Sequence, residues 1–390
     1  MANNQHAAPA PVGGSLVNAV TLSCVAIIAL MLAVLVVRFL FGLGAVTGLN
    51  DGYPWGLWIV VDVVIGSAFA CGGFSVALLV YIFNRGEYHP LVRPALLASL
   101  FGYTLAGAAV ITDLGRWWNV WNMYWPGSVN LHSVMFEVAI CISLYVVVMW
   151  IEFTPTVLEQ MGKHDTRKKL NKAMFFIIAL GIVLPMMHQA SLGTLLVVMG
   201  IQIHPLWNTP MQPALYLLTA ITMGYAVVLF ESCLASSAYR RKIEMHMLTP
   251  MARVMLGFLV VYLVVRIGDL AVRGAWPKAF VPSVEALMFW LEMACFIAPL
   301  ILIGTEAKRR NPARLFLGGI LLMLGGALLR LNGFLIGYET NVDGAGGFSY
   351  FPTVTEVLVT AGMFAVEVLG YIVVTRRFPV LPREEVQAAH

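Results

Sequence analysis

Acidic, phenolic and imidazole side chains that can carry protons lie inside long apolar stretches of this sequence. Asp62 and Glu137 lie towards one end of the predicted relay, Tyr103 and His188 lie near the middle, and Glu231 lies towards the opposite end. A lone carboxyl group in an apolar environment favours its neutral form, which makes it a good proton acceptor and donor near neutral pH. The spacing therefore predicts a relay of proton-carrying groups.

Several of these groups also have a structural interpretation, which stays open at this point. Asp113 and Arg116 are three residues apart, so they can pair on one helix face and hold the helix to a loop. Asp62 can cap a neighbouring helix end, and Tyr103 can be an ordinary core tyrosine. His132 lies at the start of its apolar stretch. Ionisable residues inside membrane segments are nevertheless costly, which favours functional roles.

A second set of charged residues occupies the C-terminal half, where opposite signs are better balanced. We interpret this set mainly as interhelical ion pairs, with a second polar path as the alternative. Its members are Arg266, Asp269, Glu285, Glu292, Arg330, Glu356 and Glu367.

The elements that position these residues follow from composition. Of 390 residues, 60% are hydrophobic and only 11% are charged, and the mean hydropathy is +0.83. Soluble domains carry about a quarter charged residues, so the sequence excludes a soluble globular enzyme, a disordered chain and a nucleic-acid binder. A membrane-spanning helix needs about 20 mostly apolar residues. Ten such runs predict an all-α integral membrane protein: 17–41, 55–83, 93–115, 131–153, 172–199, 213–238, 250–272, 283–305, 313–338 and 354–375.

Lys and Arg are divided unequally between the two sets of loops. Eighteen of the 24 fall in one set, which also includes the C-terminus. By the positive-inside rule these loops and both termini are cytoplasmic. The other six lie in the opposite loops or at membrane depth: Arg116, Arg273, Lys278, Arg38, Arg266 and Arg330.

The opposite loops are aromatic and nearly uncharged. Several Trp cluster within 117–125, and Trp55 and Trp207 lie in neighbouring loops. An interfacial aromatic belt explains part of this pattern. Aromatic enrichment with charge depletion is also typical of a protein interface, and we favour a docking surface for a partner subunit.

Several kinds of cofactor chemistry lack a signature in this sequence. The five Cys all lie inside predicted spans without a CxxC pair, which argues against a disulfide framework, a zinc site or a cluster. A membrane cytochrome b usually needs two axial His per haem, whereas only His188 is predicted at depth. We therefore expect no haem and no metal in this chain. Electrons would have to arrive from a partner and leave on a lipid-soluble carrier.

Several short motifs carry a resemblance to a known family, over about residues 38–382. They include GYPWG at 52–56, FACGG at 69–73, DLGR at 113–116, SVMFE at 133–137 and HPLW at 204–207. In these stretches the chain resembles the NrfD/PsrC family of quinone-interacting membrane subunits. Within that family it resembles the membrane subunits of periplasm-facing [NiFe] uptake hydrogenases.

The resemblance implies two four-helix bundles, formed by helices 2–5 and 6–9, with helices 1 and 10 beside them. It also implies assembly in the bacterial inner membrane with a periplasmic ferredoxin-like iron–sulfur subunit and the hydrogenase small and large subunits. The single membrane domain, 1–390, would comprise a first helix (17–53), a quinone and proton-path bundle (54–200), a second bundle (213–338), and a last helix with a cytoplasmic tail (354–390).

The implied cofactor is a quinone, either menaquinone or ubiquinone. We assign quinone contacts to Asp62, Trp55, His132, Asp113 and Glu137. We assign the quinone chemistry and proton transfer to Asp113, Arg116, Glu137, Tyr103, His188 and Glu231. Arg116 is expected to hold Asp113.

The functional hypothesis is a quinone-reducing membrane anchor of a hydrogenase, with coupled proton transfer. One alternative is the equivalent subunit of another periplasmic oxidoreductase. A second is a non-redox transporter of protons or small ions, and a third is a purely structural anchor.

Overall fold

The protein is a bundle of long helices in a computed structural model that describes residues 9–340 and 347–382. Ten helices in this part are long and apolar enough to cross a membrane, which confirms the predicted all-α membrane fold. The predicted cytoplasmic tail continues past residue 382, outside the described residues. The helices are α1 (Ala19–Phe41), α2 (Trp58–Ile82), α3 (Gly86–Asp113), α4 (Val134–Gln160), α5 (Met174–Gln202), α6 (Gln212–Ala238), α7 (Met245–Val272), α8 (Val284–Ile303), α9 (Pro312–Ile336) and α10 (Val354–Arg377).

Helices α2–α5 pack together as one four-helix bundle, and α6–α9 pack as a second. The two bundles meet where α2, α5, α6 and α9 are in contact, and α1 and α10 form a pair at the periphery. In its most apolar window α2 is 83% buried, whereas α1 is 17% and α10 is 22% buried. The predicted arrangement of two bundles and two flanking helices is therefore confirmed, with α2 at its centre.

Helix α2 is irregular, and small residues bring it close to its neighbours. Its two ends, Trp58–Ile65 and Leu78–Ile82, have wider π-helical turns, and the helix is interrupted at residues 70–71. Gly224 of α6 lies so close that an added Cβ would collide with the Ser75 side chain. Small residues allow such close packing of membrane helices, and π-helical turns are frequent at functional sites.

Three helices extend further than the hydropathy predicts. Helix α3 begins at residue 86 rather than 93, α4 ends at 160 rather than 153, and α7 begins at 245 rather than 250. Pro90 lies in the first turn of α3, where proline is tolerated, and Pro155 lies inside α4. As a consequence, Glu152 lies within a continuous helix and not at its end.

One side of the bundle is reached by loops 114–133 and 203–211 and is called the aromatic side. The opposite, basic side is closed by a short terminal clasp, formed by residues 9–13 and 375–382. Pro9–Ala10 pairs with Leu381–Pro382 as antiparallel strands. The backbone N–H groups of Val12 and Gly13 donate to the carbonyls of Thr375 (3.1 Å) and Arg376 (3.2 Å).

Candidate functional site

An acidic cluster lies near the aromatic side, where α1, α2, α3 and α10 meet. Buried Asp62 of α2 accepts a 3.0 Å hydrogen bond from the Thr360 hydroxyl on its Oδ2. Its Oδ1 has no partner among the described residues. Asp113, the last residue of α3, interacts electrostatically with Asp62 and with Arg38 of α1. Arg38 also holds the end of α3, because its guanidinium donates to the carbonyls of Thr112 (2.5 Å) and Leu114.

Glu356 lies beside this cluster and is fully satisfied by structural contacts. Its carboxylate accepts hydrogen bonds from the Tyr350 hydroxyl at 2.5 Å and from the Gly48 N–H at 2.9 Å. It also closes a capping box with Thr353 at the start of α10. Burial, together with the Glu356 carboxylate, raises the pKa of Tyr350 in the preceding loop. Glu356 therefore caps a helix, and the predicted interhelical ion pair is wrong for this residue.

A central polar cluster lies between the two bundles, around Gln189 of α5. The Gln189 amide donates to the Ser67 hydroxyl at 3.0 Å and reaches the Tyr103 hydroxyl at 3.5 Å. His188 Nε2 lies 3.2 Å from the same Ser67 hydroxyl. Arg330 of α9 donates to Gln189 Oε1 at 2.9 Å. All five of these residues are fully buried.

Arg330 is a buried cation that the described part of the chain does not pair with a carboxylate. Its other hydrogen bonds go to the Thr219 hydroxyl, the Met223 sulfur and the carbonyls of Tyr216 and Gly326. The predicted ion pair for Arg330 is therefore wrong.

Other members of the C-terminal charged set do form ion pairs. Arg266 of α7 and Glu292 of α8 lie 3.5 Å apart with both side chains buried, so this predicted interhelical pair is confirmed. Asp269 instead pairs within α7, with Arg273 at 2.7 Å.

Two buried carboxylates lie towards the basic side. Glu231 of α6 has no hydrogen-bond partner on either oxygen within the described residues, and it interacts electrostatically with Tyr371 and Glu367 of α10. Glu231 and Tyr371 line a small cleft of about 50 Å³ on the basic side. The Glu367 carboxylate lies against Gly102, the residue before Tyr103. The ion pair predicted for Glu367 is not formed in the described structure, and its position beside Glu231 corresponds to the alternative of a second polar path.

The structure separates the other predicted site residues from these clusters. Helix α3 ends at Asp113 and residue 114 is extended, so Arg116 lies off the helix with an exposed side chain. The predicted Asp113–Arg116 pair is therefore wrong, and Arg38 takes the place of Arg116. His132 is exposed, and Glu137 is half-buried in the first turn of α4. Trp55 packs edge-on against Phe334 at 5.2 Å.

Comparison with known proteins identifies the family. Residues 45–342 match the family described as "Polysulphide reductase, NrfD". The chain belongs to this family of membrane subunits, which confirms the resemblance noted in the sequence.

Individual relatives narrow the comparison. The chain is 42% identical, over 96% of its length and 95% of the relative, to the "Probable Ni/Fe-hydrogenase 2 b-type cytochrome subunit" of Escherichia coli K12. It is 29% identical, over 72% of its length and 71% of the relative, to the "Menaquinone reductase, integral membrane subunit" of Nitratidesulfovibrio vulgaris. It is 22% identical, over 92% of its length and 93% of the relative, to a putative membrane subunit of dimethyl sulfoxide reductase from Halobacterium salinarum.

The name of the E. coli relative corrects one expectation. A b-type cytochrome is a haem protein, so the expectation of no haem and no metal is contradicted. Among the described residues, only His188 offers an imidazole at mid-membrane depth, and it lies between Ser67 and the Tyr103 ring. These residues do not form a facing pair of axial His, and we derive no electron-transfer step through a haem. The other described His lie in loops or at helix ends: His89, His132, His164, His204 and His246.

Proposed function

We propose that this chain is the membrane anchor and quinone-reducing subunit of a respiratory [NiFe] hydrogenase. Electrons would arrive from an iron–sulfur subunit on the aromatic side and reduce a quinone, with coupled proton transfer across the membrane. The similarity to a hydrogenase 2 subunit and to a menaquinone reductase subunit supports this proposal. The alternation of acidic and polar clusters from one side of the bundle to the other supports the proton transfer.

The observation that carries the proposal is the acidic cluster of Asp62 and Asp113. Reduction of a quinone to a quinol takes up two electrons and two protons, and each quinone oxygen gains one proton. Asp62 has one carboxylate oxygen free, because only the other accepts from Thr360. That oxygen is suited to exchange a proton with a quinone oxygen near the aromatic side. Arg38 is proposed to position Asp113.

Further quinone contacts are proposed from the same side of the membrane. Trp55, His132 and Glu137 all belong to its loops or to the first turn of a helix. His132 and Glu137 are accessible enough to meet a ligand that enters from the lipid. Trp55 would pack against the quinone ring rather than exchange protons.

Protons are proposed to travel from the basic side to this site. Glu231 and Glu367 would take them up, and Tyr103 and His188 would carry them through the central polar cluster. The contact of Glu367 with Gly102, next to Tyr103, supports the connection between the inner carboxylates and that cluster. The excess of Lys and Arg in the loops of the basic side supports a cytoplasmic position for it in the inner membrane.

The partner is proposed to dock on the aromatic side. Trp118, Trp121 and Trp125 are 58%, 55% and 61% exposed in the loop that follows α3. Such a concentration of exposed Trp is typical of the central part of a protein interface.

An equivalent role in another oxidoreductase is the second candidate. Relatives named as membrane components of dimethyl sulfoxide reductase and selenate reductase favour it. In that case the quinone site and the proton path would be retained, and the redox partner would differ. A non-redox transporter remains the alternative that requires no docked iron–sulfur subunit.

The deciding experiment is purification of the tagged chain from its native membrane. Co-elution of iron–sulfur absorbance and a [NiFe] large subunit is expected, together with hydrogen-dependent reduction of a short-chain menaquinone analogue. Asp62→Asn should abolish most of this activity in the assembled complex, whereas Asp165→Asn, on an exposed loop helix, should not. A complex that retains the full rate with Asp62→Asn would remove Asp62 from the mechanism. A chain that moves protons without any redox partner would favour the transporter.

A further inference from the structure

A cavity of about 430 Å³ lies inside the first bundle on the basic side, and none of the proposed quinone or proton contacts uses it. It is bounded by α2–α5, and Pro9, Val380 and Pro382 of the terminal clasp lie over it. Its polar lining consists of Tyr81, His89, Arg93, Glu152, Thr156 and Asn171. A polar cavity of this size holds several water molecules.

Glu152 is the one acidic residue in the described lining of this cavity. It forms no hydrogen bond or ion pair with another described side chain. Glu159, about two turns further along α4, differs in this respect. Its carboxylate pairs with Arg93 at 2.7 Å and with Arg167 at 3.3 Å. Structural demand for an anion on this helix is therefore met by Glu159, and Glu152 is left free to exchange protons.

Gly181 of α5 makes the space that the Glu152 carboxylate occupies. A Cβ placed on Gly181 would collide with Oε1 of Glu152. The carboxylate therefore lies directly against the α5 backbone, held there by shape and without a counter-ion.

A chain of tyrosines leads from this carboxylate to the central polar cluster. Tyr145 lies seven residues before Glu152 on α4, about 10 Å towards the aromatic side, and it is fully buried. It interacts electrostatically with Glu152. Its ring meets the Tyr103 ring edge-on, with the centroids 4.6 Å apart. Tyr103 in turn lies within reach of Gln189 and 3.7 Å from the Cys71 sulfur.

We propose that Glu152 is a second proton-uptake residue on the basic side, supplied by water in this cavity. In each step an O–H bond of the carboxyl group breaks, the proton passes through Tyr145 and Tyr103 to the central polar cluster, and a cavity water reprotonates the carboxylate. No electron moves in this step. This pathway is separate from that of Glu231, whose cleft shares only Pro90 and Pro382 with the cavity. It rests on the proposed function, because it supplies protons that the quinone consumes.

The test uses the assembled complex in membranes, with hydrogen as donor and a short-chain menaquinone analogue as acceptor. Glu152→Gln should lower kcat at least about fivefold and leave KM for the quinone unchanged, since a proton supply and not a binding contact is lost. Glu152→Asp should retain most of the rate. Glu159→Gln, the matched control on the same helix, should retain it fully. An unchanged kcat in Glu152→Gln, or an equal loss in Glu159→Gln, would overturn the proposal.

Gly181→Ala gives a second test at the same place. It should lower kcat when Glu152 is present and have a smaller effect in the E152D background, because the shorter side chain leaves room for the added methyl group. Equal losses in both backgrounds would show that the effect is only structural.

A third measurement is independent of turnover. Infrared difference spectra of the purified parent and Glu152→Gln chains should isolate a carboxyl band that exchanges rapidly in heavy water. A band that does not exchange would mean a dry cavity or a bound lipid, and would overturn the proposal. A parent complex that reduces no quinone but shows the exchanging band would contradict the proposed function and leave the water-filled cavity in place.

Discussion

The Arg330 guanidinium donates a hydrogen bond to the Gln189 side chain at 2.9 Å, and this contact joins α9 of the second bundle to α5 of the first. Both residues are fully buried. Through Gln189 the cation is linked to Ser67 and Tyr103, so it borders the central polar cluster without facing an acid among the described residues. The cluster therefore combines a permanent positive charge with neutral hydrogen-bonding groups.

Replacement of Gln189 tests this junction. Gln189→Leu leaves a buried guanidinium donor without its acceptor, and we expect the free energy of unfolding to fall by about 1–3 kcal/mol. Gln189→Glu should be more stable than Gln189→Leu, because a carboxylate forms a stronger, charge-assisted bond with Arg330, while Ser67 can turn its hydroxyl to donate. Thermal unfolding in detergent measures both. The reverse order of stability would contradict the assignment.

The Arg266–Glu292 pair predicts strong non-additivity. Glu292→Gln alone leaves the buried Arg266 charge uncompensated, at a cost of about 3–5 kcal/mol. The double variant Arg266→Met with Glu292→Gln should recover most of this loss, because it removes the charge and keeps an acceptor for Trp207 and Asn332. A double-mutant cycle on denaturation midpoints gives the coupling. Additive effects would mean that the two charges do not interact.

Glu231 is predicted to control proton supply from the basic side. In the assembled complex, Glu231→Gln should slow quinone reduction by about a hundredfold, which is the usual contribution of a positioned acid or base. Glu231→Asp should lose less, and Glu367→Gln should also slow the reaction, since the two carboxylates interact. The rate of quinone reduction per assembled complex is the measurement. A Glu231→Gln complex with the parental rate would exclude this role.

His204, in the loop before α6, predicts a pH dependence of stability. Burial holds its pKa below the ordinary value of about 6.5, Lys278 acts in the same direction, and Glu285 and Glu339 oppose them. As the pH falls through about 6.5, the unfolded chain takes up a proton that the folded chain does not, so stability present above this pH is lost. His204→Asn should lose less thermal stability between about pH 7.5 and pH 5.5 than the parent. His164→Asn, on an exposed helix, should behave like the parent, and an identical loss in His204→Asn would contradict the prediction.

The helices can be predicted from the sequence because the length of an apolar run is a direct consequence of membrane thickness. Their ends are predicted less accurately. Pro155 suggests a helix end in the sequence, but it lies inside α4. Glu152 therefore falls at the end of the fourth predicted span, where nothing in the sequence marks it as part of a site.

The positions of Asp62, Tyr103, His188 and Glu231 can be predicted from their depth, but their partners cannot. Spacing along one helix suggests that Arg116 holds Asp113, whereas the structure brings Arg38 there from a different helix. Arg38 binds backbone carbonyls, and no sequence pattern marks such acceptors. The contacts of Ser67 depend on how the two bundles meet, which hydropathy does not encode.

The terminal clasp bears on how this protein is made. Residue 381 follows the last spanning helix, so Pro9–Ala10 and Leu381–Pro382 can pair only after all ten helices have been synthesised and inserted. Until then the cavity of Glu152 and the cleft of Glu231 lack part of their cover. The strand pair thus marks the end of biogenesis, because one small contact forms only in a chain whose first and last helices are both in place.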